Sequence, residues 1–171
     1  MRLRIGLLCA VLTAAACAIG AVAYAQPNQP VPARAERNFR AARRDARKLL
    51  SKLALPAGAT AAAQDPSAGK ELGSAGVMTG SLALIDLHRF WRVPDQQPAA
   101  VLSWFQDHSP AGSSLTASGS ASGPGYVVNA LDFSYPRVSD VIASRDLVVS
   151  ITAARGGGTA IRADAEDVYW I

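Results

Sequence analysis

The sequence predicts an α+β domain with a single, mainly antiparallel sheet of about five strands and a packed helix. An N-terminal signal or anchor helix and a basic amphipathic helix precede it. Three observations carry the prediction. Residues 81–93, 126–135, 146–154 and 159–171 alternate apolar and polar side chains with a period of two, as half-buried strands do. Residues 35–55 and 98–105 instead repeat at three and four. The turns between strands are short, which favours antiparallel neighbours over βαβ crossovers.

Of the 171 residues, 50% are hydrophobic, enough for one core. Charge is unevenly placed. Residues 1–52 hold ten of the Lys and Arg side chains against two acids, whereas residues 53–171 hold seven against eleven. The net charge of +4 therefore belongs to the N-terminal part. A nucleic-acid-binding domain concentrates basic side chains on its own surface to neutralise phosphates, so no nucleic-acid partner is expected.

The chain opens with the basic Met1-Arg2-Leu3-Arg4 and continues through an uncharged apolar run, Ile5 to Val22, to Ala23-Tyr24-Ala25 before Gln26-Pro27. This is the layout of a secretory signal with a small-x-small cleavage site. Residues 1–25 are accordingly read as a signal peptide or a membrane anchor, and the protein as exported, either secreted or held on the membrane through residues 5–25 with the domain outside the cytoplasm. The arginines beyond the run, Arg34 to Arg44, are ones the positive-inside rule would keep cytoplasmic, which conflicts with an outside domain if the segment is retained and matters less if it is cut. Both cysteines, Cys9 and Cys17, lie in the run, so cleavage leaves a mature chain without disulfides, thiolate metal sites or cysteine nucleophiles. Ala14-Ala15-Ala16 lacks the large aliphatic residue that precedes a lipidated cysteine.

Residues 26–34, with Pro27, Pro30 and Pro32, form an extended spacer. A basic amphipathic helix then spans 35–55. Phe39, Ala42, Ala46, Leu49, Leu50 and Leu53 make its apolar face, Glu36 reaches Arg40 at i,i+4, and Pro56 with Gly58 ends it. Packing of that face on the domain is favoured over membrane adsorption, because the alanines keep it small. Residues 56–78, rich in Ala, Gly, Ser and Thr, are a linker.

The α+β domain spans 79–171. In the strand from Ser81 to Val93, Ala83, Ile85, Leu87, Trp91 and Val93 form the core face, interrupted by Arg89. Leu82, Leu84, Asp86, His88, Phe90 and Arg92 form a mixed outer face. Pro94 ends the strand, Asp95 is the expected N-cap, and Pro98, Val101, Leu102 and Phe105 lay a helix on the sheet. A Ser-rich stretch, Leu115 to Ser122, is a weak strand, and Gly123-Pro124-Gly125 a turn. In the next strand Val127, Leu131, Phe133 and Tyr135 share a face; in the strand after it Leu147, Val149, Ile151 and Ala153 do. Arg155-Gly156-Gly157-Gly158 is a hairpin turn into a strand that runs to Ile171, whose exposed edge is available to another chain.

The segments His88 to Pro94, Ser114-Leu115-Thr116 with Gly119-Ser120, and Gly157 to Ala165 resemble uncharacterised exported proteins of high-GC Gram-positive (actinobacterial) bacteria. The resemblance covers roughly residues 35–171 and implies export and a short or truncated member of that group. It supplies no activity and no catalytic residues.

For chemistry, Asp86 and His88 stand two apart on one strand face, the spacing at which a carboxylate and an imidazole share a metal or a proton. With His108 as a third partner they define the alternative function, an envelope hydrolase or metal-dependent enzyme. No G-x-S-x-G elbow accompanies Ser103, Ser109 or Ser113, and the triple glycine has no P-loop lysine. The preferred reading is an exported binding or interaction domain of the envelope or extracellular space, without catalysis and without a cofactor. Its candidate binding surface is Asp86, His88, Phe90 and Arg92, and its partner is an envelope or extracellular ligand.

Overall fold

The computed structural model describes residues 33–74 and 83–171. The expectations for residues 1–32 and 75–82, which include the leader, the cleavage motif and both cysteines, lie outside the described residues. Helix α1 (Ala33–Lys52) and helix α2 (Pro98–Asp107) cover one face of an antiparallel sheet of six strands. The strands are β1 (Thr60–Ala62), β2 (Leu84–Val93), β3 (Ser114–Gly123), β4 (Tyr126–Ser134), β5 (Ile142–Ala153) and β6 (Thr159–Tyr169), in the spatial order β1-β2-β6-β5-β4-β3.

The two periodicities of the sequence meet at the helix-covered face. Leu49 and Leu50 from α1 and Val101 and Phe105 from α2 pack on Ile85, Trp91 and Val93 of β2 and on Leu131, Phe133, Leu147, Val149, Ile151 and Ile161. The apolar face of α1 is therefore spent on the sheet. Asn38 Nδ2 donates to the Trp170 carbonyl at 2.7 Å, and Phe39 meets Tyr169 edge to face, tying the helix start to the chain end. The expected surface pair forms, with Arg40 Nε 3.3 Å from Glu36 Oε1.

Several local expectations are corrected. The sheet has a sixth strand, β1, inside the expected linker: Thr60 to Ala62 pair with Arg92 to Phe90. Three small residues show no alternation, so only the neighbouring β2 edge makes them a strand. Asp95 is not the N-cap of α2; Gln97 holds that position without a side-chain hydrogen bond, because Pro98 is the first helical residue. The last strand stops at Tyr169, where Trp170 N–H turns to the Val141 carbonyl at 3.0 Å. It is also not an edge. β6 lies between β2 and β5, and the edges are β1 and β3. Val127 shares a face with Leu131 but is 52% exposed, because the helices reach only the middle of the sheet.

The triple glycine makes the β5–β6 hairpin as its composition demands. All three residues hold positive φ, and a Cβ on Gly158 would collide with the Val93 carbonyl oxygen. The segment after β1 crosses to the face opposite the helices. Ser67 bridges to Ala154, Arg155 N–H donates to the Pro66 carbonyl at 2.9 Å, and a 3-10 turn (Glu71–Ser74) buries Leu72 completely against Ala154 and Ala160. Among the described residues no helix is long and apolar enough to cross a membrane.

Candidate functional site

Strand alternation places Asp86, His88, Phe90 and Arg92 on the face away from the helices, as their spacing predicts. The pairing with β6 then decides their neighbours: Asp86 lies opposite Glu166, His88 opposite Asp164, and Phe90 opposite Arg162. Because β6 is central, the ionisable side chains it turns to this face are buried, at 4% exposure for Arg162, 2% for Asp164 and 1% for Glu166. Asp86, Phe90 and Arg92 are half-buried and His88 is exposed. Of the four candidate residues, His88 alone is open to solvent.

Arg162 organises the site. Its Nε donates to Asp164 Oδ1 at 2.8 Å and Oδ2 at 2.9 Å, its Nη2 to Oδ1 at 2.5 Å, and its Nη1 to the Leu72 carbonyl at 2.6 Å. The guanidinium also lies over the Phe90 ring, 5.7 Å from its centroid, and Phe90 in turn meets His88 edge to face. Burial pushes the Asp164 carboxyl up to about 6 even though Arg162 pulls the other way, and the Asp86 carboxylate beside it adds to the rise. One oxygen of each of Asp86 and Asp164 and one ring nitrogen of His88 all lie within 4.8 Å of one another. Asp86 Oδ1 is shielded from solvent and has no hydrogen-bond partner. Next to His88, a cleft of ≈ 390 Å³ opens between β2 and Ala61 to Ala63.

Two sequence candidates fall elsewhere. Arg92 donates through Nη2 to the Gly157 carbonyl at 3.1 Å, so its head group serves the hairpin turn. His108 caps the C-terminal end of α2, with its ring stacked on Trp104 at 4.6 Å and Nδ1 2.8 Å from the Trp104 carbonyl. It belongs to the helix side of the sheet and does not join Asp86 and His88. Asp164 stands where His108 was expected. The signal that points to it is the alternation Arg162, Asp164, Glu166 against Ala163 and Ala165, which marks one face of that strand as polar.

A second feature is the edge strand β3. From Ser114 to Ser122 every side chain is exposed, the strand carries no charge, and its outer edge has no neighbour among the described residues. A bulge interrupts its pairing between Leu115 and Ala117, where Thr116 Oγ1 donates to Asp132 at 3.1 Å. Ser118 and Gly119 line a hollow of ≈ 200 Å³ on one face of the sheet, with Asp132 and Val148, and another of ≈ 210 Å³ on the other face, with Leu102 and Gln106.

Comparison with protein-family models, curated proteins and solved structures finds no match to this chain.

Proposed function

We propose that this chain is an exported interaction domain of the cell envelope or extracellular space, without catalysis, and that it holds an extended segment of a partner protein along β3. The leader pattern of residues 1–25 and the resemblance to exported actinobacterial proteins support the location. The observation that carries the mode of binding is the long, uncharged and unpaired β3 edge. Protected edges are short, charged, covered or bulged; past the bulge at Thr116, residues 117–123 of β3 are none of these among the described residues. An added strand gains main-chain hydrogen bonds, and its side chains point alternately to the two faces, where the two hollows at Gly119 receive them. The competing reading, a hydrolase or metal-dependent enzyme using Asp86 and His88 with or without His108, keeps its first two residues but not the third, because α2 carries His108 on the other side of the sheet.

Selection of ten-residue peptides from a random display library on the full chain, followed by titration of the recovered peptide, tests this reading. Backbone N–H groups alternate in direction along a strand, so one of Ser118→Pro and Gly119→Pro removes a donor from the free edge while the other removes one that faces β4. The expected outcome is slower amide exchange across residues 114–123 on binding and about a tenfold weaker complex in the free-edge variant. Peptides that protect a different surface, or that bind both proline variants as tightly as the wild type, overturn it.

A further inference from the structure

We propose that Asp86, His88 and Asp164 form a binding site for a first-row divalent cation, independent of the β3 edge. The site sits on β2 and β6, with β5 and β4 separating it from β3. Its ligands come from two paired strands in fixed register: His88 and Asp164 are direct cross-strand partners, and Asp86 is two residues along on the same face. Adjacent antiparallel strands set such neighbours side by side, so the backbone alone brings the three groups together. Their ligand atoms span at most 4.8 Å, about twice the 2.0–2.2 Å bond that imidazole and carboxylate make to such an ion.

Two independent features point to a ligand. Asp86 Oδ1 is shielded from solvent without a donor, an arrangement that costs free energy unless a cation or a proton shared with Asp164 meets it. Asp164, with 2% exposure, is held by the Arg162 fork in one orientation, as an outer-shell partner orients a metal-binding carboxylate. The Arg162 guanidinium offsets the charge of Asp164 and leaves that of Asp86. A divalent ion supplies the missing positive charge.

The donor set also selects the ion. One imidazole with two carboxylates favours Zn2+, Mn2+ or Fe2+ over Mg2+ and Ca2+, which prefer all-oxygen shells. His88 is exposed at the mouth of the ≈ 390 Å³ cleft, which gives the ion an entry path and room for water in its remaining positions. Phe90 packs against the His88 ring and restricts its rotation.

Calorimetric titration of Zn2+ into the untagged full chain, stripped with chelator and held near neutral pH, tests the site. The expected result is one equivalent bound with a dissociation constant of about 10 μM or tighter, weakened about tenfold or more in His88→Gln and in Asp86→Asn. His108→Gln binds as the wild type does. His88 is exposed, so His88→Gln leaves the fold intact, and an unchanged circular dichroism melt checks this. Mn2+, used as a paramagnetic probe, broadens the ring C–H resonances of His88 before those of His108. Absence of binding at this level, undiminished binding in His88→Gln, or loss of binding in His108→Gln overturns the proposal.

Discussion

The two faces of the sheet are made by the same strands yet buried by different means. On the helix-covered face Leu131, Phe133, Leu147, Val149, Ile151 and Ile161 are fully buried, and their side chains have no polar atom to satisfy. On the opposite face Ser150, Thr152, Arg162, Asp164 and Glu166 are almost as buried, yet every one is polar. The first face is held by apolar area against two helices. The second joins a small apolar cluster of Leu72, Ala154 and Ala160 to polar groups whose burial is tolerable only while they are satisfied, as Arg162 satisfies Asp164 and the Leu72 carbonyl, and Thr152 the Val127 carbonyl at 2.7 Å. Truncation on the first face removes contacts; on the second it creates orphans.

The largest expected effect is on the helix face. Phe105 is fully buried in the cluster that joins α2 to the sheet, and Phe105→Ala lowers unfolding stability by about 4 kcal/mol in denaturant titration. A loss under about 1 kcal/mol would show that α2 is not part of the cooperative core.

The polar face is tested by a double-mutant cycle at its ion pair. Arg162→Leu leaves the buried Asp164 carboxylate without its guanidinium and is expected to cost about 3 kcal/mol. Arg162→Leu with Asp164→Leu removes both charges and recovers most of that loss. If the double variant is as unstable as the single one, shape rather than charge compensation governs this face.

The smallest effect concerns buried charge on the helix side, between β5, β6 and α1. Arg145 reaches from β5 to Asp45 of α1, with Nε 2.5 Å from Oδ2, and donates to the Pro136 carbonyl at 2.7 Å. Asp167, the cross-strand partner of Arg145, is fully buried. Burial pushes it up to about 7, and nearby Asp45 adds to the rise while Arg145 opposes it. Since its ordinary value is 3.8, the folded protein keeps a proton that the unfolded chain has released between these two values. The contribution of Asp167 to stability is therefore fully present below pH 3.8 and falls as pH rises to about 7. Asp167→Asn removes this slope and gains about 2 kcal/mol above neutral pH, with no gain in acid. Thermal melts across pH check both halves, and a gain independent of pH would show that the wild-type carboxyl is not titrating there.

Much of the fold was legible because repetition announces it. The leucines of α1, the 98-101-102-105 pattern of α2, the core alternation of β2 from Ala83 to Val93 and the glycines before β6 each declare their local structure within a few residues. β1 was not legible, since Thr60-Ala61-Ala62 has no pattern of its own. The candidate site was half legible. Asp86 and His88 share a strand face by parity alone, but their third neighbour depended on which strand lies beside β2. Proximity in sequence favoured His108; strand pairing supplied Asp164, which is 76 positions beyond His88.

By itself, the sequence determined the local elements, the division of each strand into two faces and the placing of Asp86, His88, Phe90 and Arg92 together, because these follow from helix and strand periods written in adjacent residues. Only the tertiary structure decided that the last strand is central, that β3 is the open edge, and that Asp164 and Arg162 are buried beside Asp86. Strand order is fixed by contacts between residues far apart in the chain. No local period encodes which partner a strand will find.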